Sequence, residues 1–264
     1  MQSAANSTGD MRIRPTRRIG IVLIVMYGMI YTGIAALFGV SYTEIGTTTA
    51  SIVQGILVPV GVGGALLTGF TVWAGWWRPI WQRTAPGIPR VMWIIPTLLV
   101  GISLLRAFDV AWASLSAAYI GVLILGVLLI GYSEELLARG VQVLCARSAG
   151  MSEFGVLIYT SAVFGAMHAI NAANGQSIGQ TAIQVALTAL IGAWLFVALR
   201  VSGVLIVPIV LHAVWDVMLL PPAPDPDALV RFGGAINIAV LICNLMLVGI
   251  VLWAWNQRSR FTSQ

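Results

Sequence analysis

The sequence predicts an all-α, polytopic membrane protein with about eight transmembrane helices. Three observations carry that prediction. Of the 264 residues, 59% are hydrophobic and only 9% charged. Apolar runs long enough to cross a bilayer recur along the whole chain. The arginines gather in alternate connections between those runs. A soluble domain carries roughly 25% charged residues, so a chain with this few cannot cover a water-facing surface. That excludes a soluble enzyme, a secreted disulfide scaffold and a disordered chain.

A spanning helix needs about 20 apolar residues. The first candidate is 19–40. Arg12, Arg14, Arg17 and Arg18 precede it, as basic residues precede a signal peptide, but the run exceeds the ~7–15 residues of a signal core. A retained first span behind a cytoplasmic tail (1–18) is expected. The second span is 52–76. The third, 91–105, is short and must borrow flanking residues, and it closes an N-terminal group of three helices (19–105). The fourth starts near 110, is apolar to Tyr132, and runs on through Glu134, Glu135 and Arg139 toward Arg147 with no Gly/Pro cluster to stop it. The fifth covers 153 to about 170, the sixth 178–199 and the seventh 203–220. The run from Pro221 to Asp227, rich in proline, reads as a stiff outer loop. The last piece, 235–264, holds an eighth span (235–255) and a cytoplasmic tail. The 28 glycines suit close helix packing in a membrane, and no internal repeat stands out.

The charges orient this arrangement. With the N-terminus in the cytoplasm, Arg12, Arg14, Arg17, Arg18, Arg78, Arg83, Arg90, Arg139, Arg147, Arg200, Arg258 and Arg260 lie inside and only Arg106 and Arg231 outside. The positive-inside rule then puts both termini in the cytoplasm, and a bacterial plasma membrane is the expected setting. Glu44, Asp109, Asp225 and Asp227 fall in outer loops. Trp76, Trp77, Trp81, Trp93, Trp253 and Trp255 lie near inner span ends, where an aromatic belt forms. The net charge of +5 follows from topology; no basic cluster with interleaved aromatics points to nucleic acid. Cys145 and Cys243 are isolated and make neither a disulfide framework nor a zinc pair.

Ionisable groups inside membrane spans are costly and are functional candidates by default. Glu134, Glu135 and Arg139 sit on the fourth helix, Phe164, His168 and Asn171 on the fifth, and His212 and Asp216 on the seventh. Glu134 and His168 lie equally far from the turn-like stretch 148–152, about 25 Å each at ~1.5 Å per residue, so an antiparallel hairpin lets them face each other. His212 and Asp216, four apart, share one helix face, as do Phe164 and His168. Glu135 and Arg139 are an i,i+4 acid–base pair, and Glu134 is about 100° round from Glu135. The simplest division makes Glu135–Arg139 a structural ion pair and leaves Glu134 for chemistry. A carboxylate in a low-dielectric cavity can activate water; two imidazoles and a carboxylate can hold a divalent metal or, without one, stabilise an oxyanion. Taken singly, each residue has a plainer reading: helix-packing pair for Glu135 and Arg139, interhelical hydrogen bond for each His, cap or turn for Asn171, packing for Phe164. Their co-occurrence at compatible spacing favours a site.

At these residues the sequence resembles the CAAX prenyl protease and bacteriocin-processing (CPBP, or Abi) family of intramembrane proteases. The Glu-Glu-x-x-x-Arg motif is Glu134, Glu135 and Arg139, followed by Gly140; Phe-x-x-x-His is Phe164 to His168; His-x-x-x-Asn/Asp is His212 to Asp216. The resemblance implies that the core 110–220 is an intramembrane endopeptidase hydrolysing a membrane-bound peptide or protein, with its cavity open to the cytoplasm. It implies Glu134 as general base, His168 as a holder of water or metal, His212 and Asp216 as ligands or oxyanion stabilisers, and Arg139 as the group that holds the second Glu. Zn²⁺ bound by His168, His212, Asp216 and Glu134 and a metal-free glutamate mechanism both stay open. An ionised Asp216 cannot donate to an oxyanion as Asn can. Two other readings are a non-enzymatic immunity or scaffold protein and a small proton-coupled transporter, against which stands the lack of matching halves.

Overall fold

The computed structural model describes residues 11–84, 88–222, 236 and 238–249. Among these residues the protein is helical and has no strand, and six helices are long and apolar enough to cross a membrane: α1 (Arg17–Phe38), α2 (Thr49–Trp73), α3 (Arg90–Asp109), α4 (Ala117–Ser148), α5 (Glu153–Ala172) and α6 (Ile178–Ser202). Two shorter apolar helices follow, α7 (Ile206–Val217) and α8 (Ile238–Gly249). This is an all-α polytopic membrane protein. Most of the expected proline-rich loop, both ends of the eighth span, residues 1–10 of the N-terminal tail and the C-terminal tail lie outside the described residues.

Helix starts follow local chemistry. Thr16, Ser116, Ser152 and Ser177 each accept a hydrogen bond from a backbone N–H in the first turn of α1, α4, α5 and α6, satisfying donors the helix cannot. The Ser116 cap explains why α4 begins at Ala117 rather than near 110: the stretch before it is spent in tight turns, with the Trp112 indole N–H donating to the Ala107 carbonyl at 2.8 Å. The seventh helix likewise starts at Ile206 rather than 203. Gly203 has φ 75° and ends α6 in the left-handed conformation that only glycine adopts freely. The expected belt also needs one correction. Trp76 is fully buried, and its indole N–H donates to the Ile13 carbonyl at 2.7 Å, because the segment before α1 crosses beneath it. Trp93 stays exposed.

The bundle has two ends. One gathers the segment before α1, the α2–α3 connection with a short helix (Trp77–Trp81), the α4–α5 turn and the α6–α7 turn. It carries Arg12, Arg14, Arg17, Arg18, Arg78, Arg83, Arg90, Arg147 and Arg200. Here the Thr84 N–H donates to the Gly203 carbonyl at 2.9 Å, and Arg147 pairs with Glu153 at 2.8 Å. The other end gathers the α1–α2, α3–α4 and α5–α6 loops and the end of α7. The Tyr42 N–H donates to the Asn174 carbonyl at 2.7 Å, and Tyr119 bonds the Gly46 carbonyl. Between the ends, α5 packs along α6, and α4 packs along α7 and α2.

Candidate active site

Local sequence puts the acidic pair at a break in helical register. The α-helical turns of α4 end at Glu135, and the next seven residues, Leu136–Gln142, wind as a π-helix before α-helix resumes at Val143. Such widened turns mark functional sites often enough to draw notice. All seven residues of this turn are buried.

Glu135 is the hub. One of its oxygens, Oε1, accepts from Arg139 Nη1 at 2.7 Å and from His212 Nδ1 at 3.0 Å. The Glu135 and Arg139 side chains are both 0% exposed. Arg139 also donates through Nη2 to the Gly192 carbonyl on α6 at 2.7 Å, and its guanidinium lies 4.2 Å above the Phe164 ring. The i,i+4 ion pair expected from the sequence is present, but it does more than neutralise: it ties α4 to α5, α6 and α7 and holds the His212 ring. A carboxylate accepts only, so the Nδ1 that faces it carries a proton. The other nitrogen, Nε2, then points at Asp216 Oδ2, 3.5 Å away, and Glu134 Oε2, 4.0 Å away. That Glu134 oxygen has no hydrogen-bond partner among the described residues.

His168 is held by the same logic. Its Nδ1 is 2.9 Å from the Phe164 carbonyl, which can only accept, leaving Nε2 with its lone pair toward the cavity. The Phe164 ring stands edge-on to both imidazoles, with centroids 5.2 Å from His168 and 5.6 Å from His212. Phe164 is thus a packing residue, and its ring and carbonyl set both histidines. Asn171 does the turn work expected of it, its carbonyl accepting from the Asn174 and Gln176 N–H groups. Its side chain does something the sequence did not show: Nδ2 donates to Gln184 Oε1 at 2.9 Å, and Gln184 Nε2 donates to the Tyr42 hydroxyl at 2.5 Å. Burial raises the Tyr42 phenol above its ordinary value; the Gln184 hydrogen bond opposes this, and the Asp216 and Glu134 carboxylates raise it further. Tyr42 therefore stays neutral and keeps its O–H as a donor.

Glu134, Phe164, His168, Asn171, His212 and Asp216 all line one cavity of about 970 Å³, with Tyr27, Tyr31, Tyr42 and Gln184 on its far walls. Glu135 and Arg139 lie behind the wall. The tyrosines come from α1 and the loop after it, where no motif signalled them; two tyrosines four apart, Tyr27 and Tyr31, in a largely aliphatic first span were the available sign. The donor types suit a divalent ion, since both imidazoles bind protein through Nδ1 and present Nε2, as second-shell partners arrange at metal sites. The spacing does not suit one: among the described residues, no three His, Cys, Asp or Glu side chains gather closely enough to hold a metal.

The site is a carboxylate–imidazole cluster facing a cavity inside a helical membrane bundle. Residues 116–218, from the Ser116 cap of α4 to just past the end of α7, match the family model described as Rce1-like, type II CAAX prenyl endopeptidase. Over that stretch the chain is similar to that family, in agreement with the three motifs. No curated protein and no solved structure matches the chain.

Proposed function

We propose that the protein hydrolyses a peptide bond of a membrane-associated peptide or protein in the plasma membrane of a bacterium, using Glu134 to activate water. The observation that carries this reading is the convergence of Glu134, His168, His212 and Asp216 on one cavity within the bundle. Glu134 offers an oxygen, Oε2, with no hydrogen-bond partner among the described residues. It takes a proton from water; the resulting hydroxide adds to the substrate carbonyl carbon, and the tetrahedral intermediate carries its charge on the former carbonyl oxygen. His168, through Nε2, orients the water. Tyr42 donates its O–H to the oxyanion, a role an ionised Asp216 cannot perform. Collapse breaks the C–N bond, and the proton held by Glu134 leaves with the amine. Glu135 and Arg139 keep the His212 ring in place without touching substrate.

Glu134→Gln removes the proton acceptor at constant size. Proteomic comparison of membrane peptides should show processing reduced at least ~10²-fold, as for loss of a general base, with the protein still expressed. Processing within a few-fold of wild type would favour the scaffold or immunity reading. Glu135→Gln should instead lower folding yield, because a buried arginine left unpaired costs about 3–5 kcal/mol. Zinc is a separate question. If His168, His212 and Asp216 bind it, chelation abolishes activity and added Zn²⁺ restores it; the glutamate mechanism proposed here expects full activity in chelator.

A further inference from the structure

The cavity reaches only one end of the bundle. Its outer walls are Tyr31 on α1, Ile56 near the start of α2, Gln180 and Gln184 at the start of α6, and Leu219 and Leu220 beyond α7, while Ile24, Val25 and Glu134 mark its deepest reach, near the middle of the bundle. Thr43 of the α1–α2 loop and Gln176 of the α5–α6 loop complete the mouth. The other half of the bundle is filled. Leu136, Leu137, Val141 and Cys145 on α4 are all 0% exposed. Gln142 marks the level of the arginine end, since its Nε2 donates to the Gly20 carbonyl in the first turn of α1 at 2.8 Å. Glu134 lies eight residues further along, about 12 Å deeper at ~1.5 Å per residue. A crevice at the arginine end, bounded by Arg139, Gly140 and Arg147, is only about 50 Å³, too small for a peptide, and Glu134 does not line it.

This geometry sets two sequence expectations against each other. Cytoplasmic termini and a cavity open to the cytoplasm cannot both hold, because the mouth and the start of α1 are at opposite ends. The charges decide between them. The described part of the mouth end carries one arginine, Arg106, with Glu44 and Asp109, whereas the other end carries nine arginines. Basic residues in short loops stay on the cytoplasmic side.

We infer that the active-site cavity opens to the extracytoplasmic face of the membrane and takes its substrate from there: an exported polypeptide, or the outer flank of a membrane-anchored one. The inference rests on the protease reading for its substrate and on the bundle alone for its sidedness. A substrate entering this way passes Tyr42 and Gln184 before it reaches Glu134, and need not cross the arginine-rich end.

The test is cysteine labelling with a membrane-impermeant sulfonated maleimide, on intact and on permeabilised cells. Thr43→Cys and Gln180→Cys place thiols at the mouth, and Gln82→Cys places one at the arginine end; all three positions are exposed. The parent chain, whose Cys145 and Cys243 are buried, gives the background. Labelling of Thr43→Cys and Gln180→Cys in intact cells, and of Gln82→Cys only after permeabilisation, is expected. Mouth thiols that label only after permeabilisation, or that label on the same side as Gln82→Cys, overturn the inference. Two mouth positions guard against one variant failing to accumulate. Labelling needs no catalysis, so an inactive protein with the expected pattern overturns the protease reading and leaves the sidedness standing.

Discussion

Asp216 stands where the resembled motif admits either Asn or Asp, and the two residues differ in what they offer an imidazole 3.5 Å away. As a metal ligand, Asp216 would need its charge, because an amide is a much poorer ligand for Zn²⁺. In the metal-free mechanism its work is to bond His212, and Asn can do that while also donating to an oxyanion. Asp216→Asn should therefore be nearly silent or mildly activating, and Asp216→Ala damaging, since it strips the partner facing His212 Nε2. Joint loss of activity and metal content in the Asn variant would reverse the assignment. Tyr42 is tested in the same assay. Tyr42→Phe keeps the ring and removes only the hydroxyl; loss of one oxyanion donor costs about 10²–10³ in kcat, with KM little changed. An unaltered kcat would remove Tyr42 from the chemistry.

At the scale of helices, the site depends on how closely α4 approaches α7, because Glu135 and His212 are on different helices and meet at 3.0 Å. Gly131, one turn before Glu135, permits that approach. A Cβ there would come within 2.6 Å of the Ile209 carbonyl oxygen, a backbone atom that cannot swing aside. Gly131→Ala should force the helices apart, costing about 1–3 kcal/mol as overpacking does, and should lower activity further by pulling His212 from Glu135. Gly121 on the same helix has nothing within 4 Å of its would-be Cβ, so Gly121→Ala should be neutral or stabilising. Thermal unfolding in detergent, with processing measured alongside, separates the two. Equal effects would mean that helix propensity, not the α4–α7 approach, governs position 131.

For the whole molecule, the arginine distribution predicts that a reporter fused at Gln264 lies in the cytoplasm and one inserted in the 221–227 loop lies outside. The first six helices and α7 alternate in direction as this requires, and the α6–α7 turn is held at the arginine end by the Gly203–Thr84 hydrogen bond. Reporters on the same side would break the eight-span arrangement and, with it, the sidedness of the cavity. The two ends differ physically as well as electrostatically. One is a packed floor under the acidic pair, the other an open basin walled by α1, α5, α6 and α7.

The sequence by itself determined the membrane class, the order of the spans and the residues of the three motifs. Those are properties of short stretches: an apolar run long enough for a bilayer, a pair four apart such as Glu135 and Arg139 or His212 and Asp216, a serine that caps the next turn. Helix ends were less legible where a glycine conformation or a cap decided them, as at Gly203 and Ser116. Only the tertiary structure decided that Glu135 holds His212, that Gln184 links Asn171 to Tyr42, that Trp76 is core rather than belt, and which end the cavity faces. Each of these turns on which helices adjoin and at what height. Hydropathy and periodicity act along one helix at a time and carry no information about its neighbours, whereas a hydrogen bond between residues 77 apart, such as Glu135 with His212, exists only once the bundle has closed.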